Sequence, residues 1–271
     1  MERDYILVKG QGPLLITAPH TIKTIRGYKE HGCECGIRKI IHKLYNILGP
    51  EKCTIITWDY DLVKQYKIKG LGDPNYEDDI LTSAWNDKLE EYRKKQKGFC
   101  LHIDLHGMKN KSSYYDIEIG MKPLEKKHKL LSEKIKMIIN EELGNVHFSH
   151  TFKGIFGGYG SKENPTVSRQ GVDLGLYSFQ VELERSIRKK IQNDNMLLNK
   201  FARLLVRIFK RAKIEASKTL HLKTLHLKTL HLKTLEGIPI SLILLLLIGI
   251  VNYKSNMGKL IVKKIKKILQ N

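Results

Sequence analysis

The chain has 271 residues, 41% of them apolar and 28% charged, the proportions of an ordinary globular protein with one large domain or two small ones. Its net charge of +20 raises nucleic acid or an anionic membrane as partners, yet residues 210–271 hold +11 of it and no basic cluster interleaved with aromatics precedes them, which disfavours a nucleic-acid-reading surface. Four irregularly spaced cysteines without a CxxC pair exclude a secreted disulfide scaffold, and the opening MERDYILVKGQG lacks the apolar run of a signal peptide, so a cytoplasmic protein is expected.

Residues 5–8 and 14–17 read as two strands joined by the turn residues Gly10, Gln11, Gly12 and Pro13. Pro19 cannot donate to a ladder, so the second strand is expected to stop there and leave His20 at its carboxyl edge. A polar loop with Arg26, Glu30 and His31 follows. Ile37, Ile40, Ile41, Leu44, Tyr45 and Leu48 then mark the stripe of an amphipathic helix, with Glu34 at or just before its first turn. Residues 53–58 form a third strand that leaves into a long loop, 69–76, carrying Gly70, Gly72, Asp73, Pro74 and Asn75. Leu81, Trp85, Leu89 and Tyr92 mark the next helix.

Residues 99–107, FCLHIDLHG, read as a buried strand that delivers a carboxylate and an imidazole to its carboxyl end, where open α/β sheets place their chemistry. Side chains alternate along a strand, so Asp104 and His106 share a face and can act together. A strand at 115–120, a helix through Leu131 and Ile139, a glycine-rich loop at 152–160, a strand at 178–183 and a helix from Leu197 to Ile208 complete the pattern. Strands alternating with helices predict an α/β layered domain with a largely parallel or mixed sheet, spanning 1–214.

Residues 215–236 hold repeated KTLHL, which keeps one apolar side neither as helix nor as strand and reads as a low-complexity linker. Its His221, His226 and His231 read as solvated repeat residues rather than ligands. In the tail, 237–271, an apolar run at 238–251 falls short of a bilayer span, and paired lysines among isoleucines at 259–269 resemble a membrane-surface helix; residues 238–270 thus allow weak membrane association.

His20, Glu34 and His106 offer two imidazoles and a carboxylate, the donor set of hydrolytic zinc sites that leave one position for water. The segments TAPHTIKTIRG, Glu34 to Gly36, HIDLHGM, FKGIFGGYG and SFQVELERSIR resemble, in this order, the motifs of the N-formylglutamate amidohydrolase family, relatives of the zinc carboxypeptidases. The resemblance implies a three-layer α/β/α phosphorylase/hydrolase-like fold. It also implies Zn2+ on His20, Glu34 and His106, Glu182 as general base and acid, Asp104 orienting His106, and an N-acylated amino acid or peptide-like amide as substrate. Glu30 or His31 lies close enough in sequence to replace Glu34.

An arginine is expected to hold the substrate carboxylate, since its fork matches that group, and Arg26 and Arg169 are the candidates. Family members carry an arginine soon after the FKGG segment, whereas this chain has none until Arg169. Asn75 and Tyr159 are further candidate contacts, and Cys33 and Cys35 read as free thiols. The competing function is a catalytically silent hydrolase fold that binds acidic membrane or nucleic acid through its tail.

Overall fold

Short apolar segments pair into one mixed sheet in the computed structural model, which describes residues 5–75, 80–108, 115–153, 157–158, 160 and 165–236. The strands are β1 (Ile6–Lys9), β2 (Leu14–Ala18), β3 (Thr24–Arg26), β4 (Lys29–His31), β5 (Cys53–Trp58), β6 (Leu101–Gly107), β7 (Ile117–Gly120), β8 (His150–Thr151) and β9 (Tyr177–Leu183). The helices are α1 (Cys35–Leu48), α2 (Tyr60–Gln65), α3 (Ile80–Lys95), α4 (Lys122–Lys127), α5 (Lys129–Gly144), α6 (Val167–Asp173), α7 (Arg185–Asn193) and α8 (Asn195–Glu236).

The sheet order is β1-β5-β2-β6-β9-β7-β8, with β5, β2, β6 and β9 parallel and β1 and β7 antiparallel to their inner neighbours. Four parallel strands at the centre place their carboxyl ends along one edge, and the helices cover both faces, so the predicted α/β/α class with a mixed sheet is observed. One face is aliphatic. Ile16, Ile103, Leu105, Phe179 and Val181 pack there with α1, α5, α7 and α8. The opposite face packs Leu15, Ile56 and Trp58 against Trp85, Leu89 and Tyr92 of α3 and Val167 of α6. Between those contacts it carries a polar column, because Thr17, Asp104 and Gln180 pair in register, as do His106, Glu182 and Glu118.

One expectation is corrected and one segment gains a conformation. The polar loop after His20 is a hairpin, β3 paired to β4, whose turn uses Gly27 at φ 61°, a left-handed value that glycine adopts without strain. The KTLHL repeat is helical and continuous with α8. Leucine and lysine are good helix formers, and a helix already started by its packed amino-terminal part propagates without a new nucleation cost, so no apolar stripe is needed. The chain divides into two units, Met1–Ser217 and Lys218–Asn271. The expected tail, 237–271, lies outside the described residues. Among the described residues, no helix is long and apolar enough to cross a membrane.

Candidate metal centre

The turn that ends β2 is fixed from beside it: Trp58 Nε1 donates to the Pro19 carbonyl at 2.6 Å, and the next residue is His20. His106 reaches the same edge from β6. Glu34 stands at the amino end of α1, where its side chain makes no capping bond to the helix. It turns instead to the sheet edge, where its Oε2 accepts the Gly107 N–H at 2.8 Å and its backbone N–H donates to the His20 carbonyl at 2.7 Å. The two Nδ1 atoms of His20 and His106 are 3.1 Å apart; Glu34 Oε1 lies 3.3 Å from the first and Oε2 3.7 Å from the second. All three side chains are at least largely buried, Glu34 being the most open at 14% exposure.

Each ring is anchored by its far nitrogen. His20 Nε2 lies 3.0 Å from Asp73 Oδ1 and 3.0 Å from Asn75 Nδ2. Asp73 is fully buried; it also accepts the Asn75 N–H at 3.0 Å and Arg26 Nε at 2.8 Å, with Arg26 Nη2 at 2.7 Å. His106 Nε2 faces Asp104 Oδ2 at 3.0 Å, an ion-pair contact bent away from hydrogen-bond alignment, and Asp104 Oδ1 accepts from Thr17 Oγ1 at 2.7 Å.

Each far nitrogen faces a buried carboxylate, and two ring nitrogens 3.1 Å apart beside a third carboxylate call for a proton or a cation between them. A tetrahedral zinc with bonds of about 2.0–2.2 Å has neighbouring donor atoms roughly 3.3–3.5 Å apart. The Nδ1 atoms at 3.1 Å, with Glu34 Oε1 3.3 Å from one and Oε2 3.7 Å from the other, lie within a few tenths of an ångström of that spacing, so the donor set is compatible with the metal.

The charges agree. Burial alone lowers the pKa of both imidazoles, but Asp73 and Glu34 around His20, and Asp104 and Glu34 around His106, outweigh it and raise both, His106 by far. Burial pushes the Glu34 carboxyl up, yet His106 and His20 hold it well below the ordinary range.

A second set, His20, His31 and Asp73, also comes together. It fits an ion less well, because both Asp73 oxygens already serve His20, Asn75 and Arg26. Burial and the positive charge of His20 bring the His31 pKa to about 4, so its neutral ring packs on His20, centroids 4.3 Å apart. Glu30 is exposed and pairs with Lys23 at 2.5 Å.

Glu182 lies opposite His106 on the neighbouring strand and on the same face. It is 4% exposed, with Oε1 accepting from Gln180 Nε2 at 2.6 Å. Burial pushes its pKa up to about 7, against the pull of His106 and with the push of Glu34.

Arg188 of α7 also lies at this edge. A side chain at Gly107 would place its first carbon 1.6 Å from Arg188 Nη1, and one at Gly36 would stand 3.3 Å from Arg188 Cδ and 2.1 Å from Gln192 Nε2. The glycines that follow His106 and Cys35 therefore open the space that α7 fills. Half-buried, Arg188 has its pKa lowered by desolvation, against the charges of Glu34 and Glu182.

The structure thus brings His20, Glu34, His106, Asp104 and Glu182 together. Arg26 is joined to Asp73, and Arg169 pairs with Asp173 one helical turn away at 3.7 Å. Asn75 accepts the Val167 N–H at 2.9 Å while touching His20. Sequence reading missed Asp73, lost among turn formers, and Arg188, whose signal was the pair of glycines. Cys33 is disulfide-bonded, which corrects the free-thiol expectation; Cys53 and Cys100 are free and buried. Tyr159 and the side chains of Cys35, His221, His226 and His231 lie outside the described residues.

No protein-family model matches the sequence, and no curated protein matches it. Among solved structures the chain is similar to a bacteriophage poly-gamma-glutamate hydrolase, at 14% identity and TM-score 0.41 over 80% of this chain and 89% of that one. It is also similar to the succinylglutamate desuccinylase from Chromobacterium violaceum, at 13% identity and TM-score 0.47 over 76% and 67%. A metallo-carboxypeptidase from Pseudomonas aeruginosa matches at 14% identity and TM-score 0.45 over 75% and 61%.

Proposed function

We propose that the chain is a zinc-dependent hydrolase that cleaves the amide bond of an N-acylated amino acid of the N-formylglutamate kind, or of a peptide-like substrate. The observation that carries this reading is the pair of imidazoles whose Nδ1 atoms meet 3.1 Å apart beside Glu34, each with its Nε2 turned to a buried carboxylate. His20, Glu34 and His106 would hold the ion. Zinc bound there supplies Lewis acidity for the attacking water and the scissile carbonyl.

The chain's own groups do the rest. Asp73 and Asp104 keep the ring protons on Nε2, which leaves both Nδ1 atoms as bare donors. Glu182 takes a proton from the attacking water at Oε2 and returns it to the leaving nitrogen, while Gln180 holds Oε1 in place. A carboxyl pushed up to about 7 suits both halves of that transfer. Arg188 receives the substrate carboxylate, since its fork is at the site edge and the fork of Arg26 is engaged by Asp73.

Metal analysis with an activity panel tests this. Purified protein is expected to carry stoichiometric zinc, to lose it as His106→Ala and as Glu34→Gln, and to hydrolyse N-formyl or N-acyl amino acids. Wild-type protein that holds no transition metal and takes up no zinc on reconstitution overturns the reading; a zinc protein inert toward every N-acyl amino acid and peptide amide overturns the substrate class.

A further inference from the structure

Behind Asp104 the polar face of the sheet holds a line of side chains with no solvent exposure. Thr17, His102, Asp104 and Ser178 are each 0% exposed, on the adjacent strands β2, β6 and β9. Thr17 Oγ1 is 2.7 Å from Asp104 Oδ1 and 2.9 Å from His102 Nε2, and Ser178 Oγ is 2.7 Å from His102 Nδ1.

The hydrogens fit this line in only one way. An ionised carboxylate accepts and never donates, so the single Thr17 hydroxyl proton goes to Asp104. The Thr17 oxygen must then accept from His102, which puts the ring hydrogen on Nε2. Burial holds the His102 pKa at about 4, so the ring is neutral and its Nδ1 is an acceptor, filled by the Ser178 hydroxyl. Donation therefore runs one way, from Ser178 through His102 and Thr17 to Asp104.

Helix α6 is shaped to this ring as well. A side-chain carbon at Gly171 would stand 2.4 Å from His102 Nδ1 and 3.1 Å from Ser178 Oγ, so only glycine lets the helix lie over the pair. If the line served packing alone, apolar residues of the same volume would fill the space at no greater cost, and its direction would have no consequence. Its direction does have one: it occupies Asp104 Oδ1 and leaves Oδ2 for His106.

We propose that His102 is a positioning residue for the metal centre: held as the Nε2–H tautomer by Ser178, it orients Thr17, which fixes the Asp104 carboxylate against His106 Nε2 so that His106 presents Nδ1 to the ion. This rests on the reading of His106 as a ligand. The contribution is to metal affinity, through groups that touch neither metal nor substrate.

Zinc competition titrations against a chromophoric chelator, on full-length wild type, Thr17→Val, Thr17→Ser and Ile103→Val, test it together with the ring nitrogen NMR spectrum of His102. Thr17→Val keeps the shape and deletes the hydroxyl; its zinc affinity is expected to fall about 10- to 100-fold. Thr17→Ser restores the hydroxyl and is expected to recover wild-type affinity. Ile103→Val, on the opposite face of β6, lowers stability without touching the line and is expected to leave affinity unchanged. The wild-type spectrum is expected to show hydrogen on Nε2, a readout that needs no variant to fold.

Thr17→Val with wild-type affinity, or hydrogen on His102 Nδ1, overturns the proposal while the zinc reading stands. Wild-type protein that binds no zinc overturns both.

Discussion

Gly107→Ala separates the position of Arg188 from its presence. The new carbon would lie 1.6 Å from Nη1 and 2.6 Å from Cζ, against a normal contact of about 3.5 Å, so the guanidinium must withdraw by about 2 Å. Because the obstacle is the far end of a flexible side chain, the fold is expected to lose under about 1 kcal/mol. The Gly107 N–H still reaches Glu34, so zinc content is expected to hold. A charge-assisted hydrogen bond is worth about 1.5–3 kcal/mol. At 1.4 kcal/mol per tenfold, kcat/KM for an N-acylated amino acid is expected to fall about 10- to 150-fold. Arg188→Ala is expected to fall equally, and the double variant no further, since both changes remove one interaction. Steady-state kinetics on the acid and on its carboxamide, which lacks the anion, measure this cycle. Losses that multiply in the double variant, or that are equally large for the carboxamide, refute the placement of the substrate carboxylate on Arg188.

Glu182→Gln removes the proton carrier without disturbing the ligands; zinc is expected to stay and kcat to drop about 10²- to 10⁴-fold, measured by metal analysis and turnover on one preparation. Zinc affinity is expected to tighten as pH rises from 6 through neutrality. The raised pKa values of His20 and His106 mean that the metal-free centre holds protons the ion must displace, and fewer remain at higher pH. A dissociation constant flat over that range contradicts the sign. Ending the chain after Ser217 leaves every residue of the centre inside the first unit, so zinc binding and the melting temperature are expected to stay close to the full-length values, checked by calorimetry with and without zinc.

Strand periodicity made much of the centre legible in the sequence. Period two along 99–107 put Asp104 and His106 on one face, and Pro19 ended β2 next to His20; both follow from local backbone rules that need no tertiary information. What stayed hidden depends on contacts distant in sequence. Asp73 sits among glycine, proline and asparagine, residues a turn needs for its own sake, and its task is visible only when the loop folds back on His20, 53 positions away. Arg26 has the chemistry of a substrate clamp, and only the folded loop shows a buried carboxylate already in its fork. Choosing Glu34 over Glu30 required the β3–β4 hairpin, which turns Glu30 toward Lys23 and solvent. The helical state of the KTLHL repeat has no signal in the repeat itself, because α8 extends a helix that has already begun.

Helix α1 begins at a residue whose carboxylate is spent elsewhere. The Glu34 carbonyl accepts the Ile37 N–H, but its side chain faces His20 and Gly107, so the first turn is secured from outside the helix. An ion seated on Glu34 is expected to tighten that grip, and its removal to slacken the coil behind. Amide exchange at Ile37, Arg38 and Lys39 is then expected to report occupancy, slower with zinc bound than after chelation.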